Sequence, residues 1–432
     1  MPSQNPTTAL SGPIDELEQR ILESMPAIER WFRLEWMEHT PPFYTACQVC
    51  NTGSKLAPLA TDLFPSGWNH LAEEMLPLGV QAAMAAIEKI CPEARNLLII
   101  AENQWQESGY LANLAQLQRI FTRAGLNVRI GSISPEMDSI THATLEDGSR
   151  MMLEPVLRNR HRLGLQDFDP CTLLLNNALR AGAPGILEDL YEQYLLPPLH
   201  AGASVRRKDR HLHSYEEVAK RLAKMLGIDP WLISPLSTTL PATLFAHAHA
   251  AADSDKKTIA RKQKGMDALH TALDTTLTKV RRKYKEYAIH EKSFVVLKAN
   301  SNGMPVLRLH DAKELASMEQ LPAWLAACHS KSYDIIVQEG LTSQERIGTA
   351  AATPVVYMMD RYVVGGFHHV HATQGSPSIA PLAFQYSTQL PQANALPGTS
   401  APNRFYMYGV IARLAMLAAS YELEATDPEA YN

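Results

Sequence analysis

The stretch from residue 96 to 133 leaves the fewest options for folding. "NLLIIAEN" (96–103) is a continuous apolar run of strand length. "YLANLAQLQRIFTRAG" (110–125) places apolar residues at helical spacing and stops on a glycine, and "NVRIGSI" (127–133) is a second strand. Parallel strands need a crossover of this length, so the pattern predicts a parallel sheet with helical connections. "CTLLLNNAL" (171–179) adds another buried strand, which ends on Asn176 and Asn177. Polar side chains at the carboxyl end of a strand lie where α/β sheets bind ligands. Between these strands, Asp147-Gly148 sits between apolar flanks and signals a hairpin over 141–157.

The rest of the chain mixes helices with further strands. Ser11, Pro13 and the acids Asp15, Glu16 and Glu18 mark the start of a first helix. Helices are expected at 185–195, 214–226, 266–287, 311–328 and 405–425. Strands are expected at 294–298 and 333–341, with a pair over 353–372. Residues 234–257 have no clear period and read as a loop. The fold class is therefore α+β or α/β, with a helical and α/β domain over 1–205 and a second domain over 206–432.

Composition narrows the function. A formal net charge of −5 argues against a general nucleic-acid binder. Five cysteines in 432 residues fit a reducing compartment with free thiols. The start lacks a basic, apolar leader, and no apolar run approaches the ~18 residues of a membrane span. A cytoplasmic protein without membrane contact is expected. Cys47 and Cys50 have C-x-x-C spacing, but without a second ligand pair they read as buried, inert thiols. His247, His249, Asp253 and Asp255 match no established metal spacing and read as a solvated loop.

"FVVLKANSNGMPV" (294–306) raises the chemical question. A buried strand ends on Lys298, and a small polar stretch follows. A strand-end ammonium can meet a phosphate as a compact charge, and a flexible loop beside it can add backbone N–H groups. "IVQEGL" (336–341) places Gln338 and Glu339 at a second strand end. Backbone groups there could read an adenine edge, and a carboxylate could bind ribose. The competing reading is a lysine that snorkels to solvent. P-loop, dinucleotide-binding, nucleophile-elbow and H-E-x-x-H patterns are all missing from the sequence.

The chain resembles the proteobacterial type of glutamate–cysteine ligase, an ATP-grasp family with a pre-ATP-grasp type N-terminal region. The resemblance runs through "NTGSKLAPLATDLFPSGWNHL" (51–71), "RLGLQDFDPCTLLLNNALRAGAPGILEDLYEQYLLPPLHAG" (162–202) and "RRKDRH" (206–211), then "FVVLKA" (294–299), "IVQEGL" and "PVVYMMDRYVVGGFHHVH" (354–371), and ends in "YGVIARLAMLAASYELEAT" (408–426). It implies that ATP phosphorylates the γ-carboxylate of glutamate and that the cysteine amine then attacks the acyl phosphate, with Mg2+ neutralising phosphate charge. It further implies a nucleotide clamped in the C-terminal half. Lys298 would contact its phosphates, and Gln338, Glu339 and Leu341 would wall its adenine and ribose. Lys55, Arg162, Arg206, Arg207, Asn176 and Asn177 would hold the amino acids, Asp360 would be the metal candidate, and His369 and Arg361 the catalytic candidates. For each arginine the competing reading is a surface charge.

Several stretches depart from that family's pattern. Where it has a glycine-rich run of the form GTYGMG, this chain has "NSNGMP" (300–305), with fewer N–H groups and less room for close approach. His369 stands where the family has an arginine, and a neutral imidazole lacks the guanidinium fork. The loop 371–385 has no asparagine, where the pattern has one, and 234–257 has no Cys-Gly-Glu-type motif. A paralogue that binds without turnover and a ligase for another acid–amine pair are the competing functions. His369 and His371, two apart, are expected to share one face of their strand.

Overall fold

The computed structural model describes residues 13–248, 250, 255–301, 303–347, 350–371 and 404–428. In chain order, helices α1 (Pro13–Glu23) and α2 (Met25–Glu38) precede strands β1 (Tyr44–Asn51) and β2 (Leu56–Asp62). Then come α3 (Leu76–Ile90), β3 (Asn96–Ala101), α4 (Ser108–Arg123), β4 (Asn127–Ser132), β5 (Thr141–Thr144), β6 (Arg150–Pro155), β7 (Leu157–Asn159), β8 (Arg162–Gly164), β9 (Thr172–Asn176) and β10 (Tyr194–Leu196). The second half holds α5 (Lys208–Leu226), β11 (Ser237–Leu240), α6 (Lys256–Glu286), β12 (Val295–Ala299), β13 (Leu307–Leu309), α7 (Glu314–Ser317), α8 (Leu321–Ser330) and β14 (Ile335–Glu339). The chain closes with β15 (Arg346–Ile347), β16 (Ala350–Met359), β17 (Tyr362–Val370) and α9 (Arg404–Thr426).

Two compact units result. One comprises residues 206–342 with 13–20 and 51–57; the other comprises 21–50, 58–205 and 343–428. In this grouping residues 343–428 fall with 21–50 and 58–205 rather than with 206–342. The reason is pairing: β16 runs antiparallel to β1, with Tyr44 opposite Met359 and Gln48 opposite Val355.

In the larger unit the expected parallel sheet forms, in the order β10-β9-β3-β4-β6-β5. Strand β3 pairs in parallel with both β4 and β9. Its central strands are apolar on both faces because both are covered. Leu97 and Ile99 belong to one core with Leu114, Leu117 and Phe121 of α4, while Leu98 and Ile100 belong to another with Leu173 and Leu175. Helix α4 ends where Gly125 takes φ +95°, a conformation that costs glycine little. A second sheet contains β15, β16, β17, β1 and β2. The expected helix at 185–195 does not form. Those residues make a short 3-10 turn and then β10, which extends the parallel sheet beside β9. Edge pairing there overrides a sequence rich in helix formers.

The smaller unit is built on a four-stranded antiparallel sheet, β11-β14-β12-β13. Val295, Leu297, Ala299, Ile335 and Val337 pack with Leu269, Leu273 and Leu277 of α6 and Leu321 and Leu325 of α8. Helix α6 begins at Asp255, whose carboxylate accepts from the N–H groups of Lys257 and Thr258. The expected loop at 234–257 contains β11. Its sequence, Ser-Thr-Thr-Leu between two prolines, has no apolar alternation to announce a strand.

Candidate functional site

In the smaller unit, the register of β12 decides which side chains share a face. Lys298 lies opposite Ile336, and Val296 lies opposite both Gln338 and Arg308. Val295, opposite Glu339, belongs to the other face, packed against α6 and α8. Adjacent positions on a strand point to opposite sides, so Gln338 shares the face of Lys298 and Glu339 does not.

Lys298 is half-buried, and its ammonium is pushed down to about 8, first by burial and then by the charge of Lys208. Lys208 opens α5, and burial lowers its pKa too. Among the described residues, neither ammonium has a hydrogen-bond or ion-pair partner. The Asn300 side chain fixes the helix start by accepting from the Asp209 N–H at 3.0 Å. Two part-buried cations beside a helix N-terminus form a place where an anion relieves an existing electrostatic cost. Arg308 lies over the Phe294 ring at 3.6 Å and Arg207 over the Tyr333 ring at 5.8 Å. Arg206 and Arg207 are half-buried and both have partners of their own. Leu341 is half-buried just beyond β14.

Glu339 and Lys55 meet each other. The Lys55 ammonium donates to Glu339 at 2.9 Å and to the Ser234 carbonyl at 3.0 Å, and lies 4.2 Å from the Trp231 ring centre. Glu339 also accepts from Trp231 Nε1 and from the Leu236 N–H, each at 3.1 Å. Both side chains are buried. The carboxylate offered to ribose and the ammonium offered to an amino acid are therefore engaged within the protein, in a closed network of charge-assisted bonds.

In the larger unit, a crevice of about 700 Å³ opens at the carboxyl ends of β3 and β9. Asp62, Ser66, Glu102, Glu107, Tyr110 and Arg180 supply its polar groups, beside Asn176 and Asn177. The two asparagines build the crevice floor. Asn176 donates to Tyr44 Oη at 3.1 Å and to the Pro65 carbonyl at 3.0 Å, and accepts from Asn113 at 2.9 Å. Asn177 donates to the Ala101 carbonyl and accepts from the Leu179 N–H. Glu102 accepts from the Ala178 N–H at 2.8 Å, which ties the ends of β3 and β9 together. Arg162 does not line this crevice; it pairs with Asp169 at 2.8 Å beside β8.

Hairpin β16–β17 separates the other candidates. His369 lies opposite Thr353, and its ring sits 4.9 Å from that of His371, edge to face. The two imidazoles thus share a face, as their spacing requires. Burial, then His371, lowers the pKa of His369, so it is neutral at pH 7. Asp360 forms the turn at the opposite end, roughly 25 Å away along the strand. Its backbone N–H donates to the Phe43 carbonyl, and its carboxylate lies 3.5 Å from the Lys89 ammonium. Arg361, exposed beside it, is as far from His369.

Among the described residues, no group of three His, Cys, Asp or Glu side chains could hold a metal. Asp255 of the 247–255 constellation caps α6, while His249 and Asp253 lie outside the described residues, as do Asn302 and nearly all of the 371–385 loop. Cys47 and Cys50 are both fully buried. The sequence reading missed Lys208, Glu102, Glu107, Asp62 and Arg180. The strand-end rule that singled out Asn176 applies equally to Glu102, which directly follows β3.

The GshA glutamate–cysteine ligase family model matches residues 18–423. A crystal structure from Methylobacillus flagellatus KT, provisionally named γ-glutamylcysteine synthetase, is 42% identical, with a TM-score of 0.85 over 99% of this chain and 100% of that chain. No curated protein matches.

Proposed function

The chain belongs to the glutamate–cysteine ligase family, and from that premise we propose how it joins the γ-carboxylate of glutamate to the amine of cysteine at the expense of ATP. The smaller unit is the nucleotide-binding part, of ATP-grasp type. Lys298 and Lys208 hold the phosphates, and Gln338 and Leu341 border the base. The observation that carries this reading is the pair of part-buried, partnerless ammonium groups at the start of α5. A polyanion restores to each lysine the full charge that burial disfavours.

Mg2+ is the metal we assign. It keeps several waters and binds mainly through substrate phosphates with one or two carboxylates, as suits a site where the nucleotide brings most of the ligands. Asp360, already beside Lys89, is a poor ligand. When bound with the nucleotide, the ion supplies charge neutralisation at the phosphates.

The protein's own residues do the rest. A γ-carboxylate oxygen of glutamate attacks the terminal phosphorus and ADP departs. The cysteine amine then attacks the acyl carbon, phosphate departs, and the nitrogen loses a proton. Neutral His369 offers an acceptor for that proton in place of a fixed positive charge. The crevice at the ends of β3 and β9 takes an amino-acid substrate. Arg180 suits its carboxylate, and Glu102 or Glu107 its ammonium. No helix among the described residues is long and apolar enough to cross a membrane; a cytoplasmic site of action is our reading.

The test is ADP release by the purified protein with MgATP. Release that needs glutamate and cysteine together supports the assignment. Release with another acid–amine pair alone, or none with any pair, refutes it.

A further inference from the structure

Three of the five cysteines are sealed from chemistry. Cys47, Cys50 and Cys328 are buried, and burial pushes the thiols of Cys47 and Cys328 up to about 12 and about 11. Cys91 and Cys171 differ. Each is only half-buried, and their sulfurs lie 3.5 Å apart although 80 positions separate them in sequence. Both backbones are pinned. Cys91 ends α3, with its N–H on the Ile87 carbonyl and its own carbonyl taken by the Ala94 N–H. Cys171 precedes β9, with its carbonyl taken by the Tyr194 N–H. What remains free is rotation of two short side chains. A disulfide needs sulfurs ~2.0 Å apart, so the pair must close by about 1.5 Å, within reach of a change in χ1.

We propose that Cys91 and Cys171 are a redox modification site, a dithiol that low-molecular-weight disulfides convert reversibly into an intramolecular disulfide. One protein thiolate attacks a sulfur of the reagent disulfide RSSR, forms a mixed disulfide and releases RS−. The second protein thiolate attacks the protein sulfur of that mixed disulfide and releases the other RS−. The two RS− take up the protons the protein thiols gave up. The protein loses two electrons and two hydrogens, and RSSR is reduced to two RSH. The enzyme's own amine substrate, an aminothiol, yields such a disulfide when oxidised; this source of oxidant rests on the proposed function, but the geometry does not.

The bond would clasp the end of α3 to the start of β9, where Cys171 Sγ also lies 4.0 Å from the Asn96 carbonyl that opens β3. This is the amino end of the parallel strands, while the crevice lies at their carboxyl ends. Closing an 80-position loop restricts the unfolded chain more than the native one. The oxidised enzyme is therefore harder to unfold. The Cys91 thiol is raised by burial and by its neighbour Cys171, so crosslinking speeds up between pH 7 and pH 9 as the thiolate fraction grows.

The experiment incubates the full-length enzyme with 2-hydroxyethyl disulfide at pH 7 and pH 9, and analyses it by intact mass and non-reducing peptide mapping. The expected result is a product lighter by two hydrogens, a Cys91–Cys171 crosslinked peptide, a melting temperature raised by several degrees, and reversal by dithiothreitol. Cys91→Ser and Cys171→Ser should instead stop at one reagent adduct on the remaining thiol. A wild-type protein that at pH 9 carries separate adducts on both thiols, or keeps both thiols free, overturns the proposal. That readout does not depend on whether the variants fold, and it stands apart from the ADP-release test.

Discussion

Replacing Lys298 by methionine should make the protein more stable and a worse binder of nucleotide at the same time. The side chain keeps nearly its length and loses its charge. Burial, aided by Lys208, pushes the Lys298 pKa from 10.5 down to about 8. A difference of about 2.5 units at 1.36 kcal/mol each means that holding the charged lysine costs the folded, ligand-free protein about 3 kcal/mol at neutral pH. The unfolded chain binds this proton more tightly, so the wild type gains stability as pH rises from about 8 toward 10.5. Below that window the penalty is fully present, and above it the penalty is gone. Lys298→Met should thus raise the unfolding free energy by about 2–3 kcal/mol at pH 7 and by almost nothing near pH 11. ATP affinity should fall at least tenfold, the loss of one charge-assisted contact to a phosphate. Wild-type binding should also take up about half a proton at pH 8, because the phosphates recharge a half-titrated lysine. Urea titration at two pH values, with calorimetry in buffers of different ionisation enthalpy, measures all three. A variant less stable than wild type at pH 7, or one that binds ATP with unchanged affinity, would refute the assignment of this ammonium to a phosphate.

Other substitutions separate supporting residues from working ones. Lys55→Met leaves the Glu339 carboxylate buried without its partner and should cost about 3–5 kcal/mol in urea titration; a cost below about 1 kcal/mol would show that the network is not built around the pair. Arg180→Ala should raise KM for one amino acid about tenfold or more while leaving KM for ATP within twofold; steady-state kinetics with each substrate varied decides whether the crevice is a substrate site. His369→Arg removes the neutral proton acceptor and puts a permanent charge in its place, so turnover at pH 7 should fall by about a hundredfold or more. An active enzyme with unchanged kcat would show that His369 does not face the reacting atoms.

Much of the frame was legible because it rests on local periodicity. The run 96–133 and the apolar alternation of the β16–β17 hairpin predict their strands from spacing alone. Strand β11 was not legible, since Ser237, Thr238 and Thr239 owe their strand conformation to pairing with β14, a hundred residues on. Residues 185–195 mislead for the same reason in reverse, because helix-forming side chains there are drawn into an edge strand. Candidate-site residues divide along the same line. Asn176 could be placed at a strand end, but its role in joining Tyr44, Pro65 and Asn113 depends on partners far away in sequence.

The contrast between Lys55 and Lys298 shows what decides the fate of a buried ammonium. Lys55 immediately precedes β2 and Lys298 is the last residue but one of β12, and nothing in either neighbourhood of the sequence announces the difference. Lys55 ends on a carboxylate, a carbonyl and an aromatic ring, so its desolvation is offset within the protein and it has little left to give a ligand. Lys298 sits on the opposite face of the same sheet from Glu339, which lies opposite Val295, three residues back along β12. The charge that acts on it is Lys208, of the same sign. Shifting β12 by one residue would bring an ammonium and the carboxylate to the same side and would flip the apolar set Val295, Leu297 and Ala299 out of the core. The packing that fixes this register therefore also keeps Lys298 uncompensated, and an uncompensated charge next to a helix N-terminus is one that only an incoming anion can satisfy.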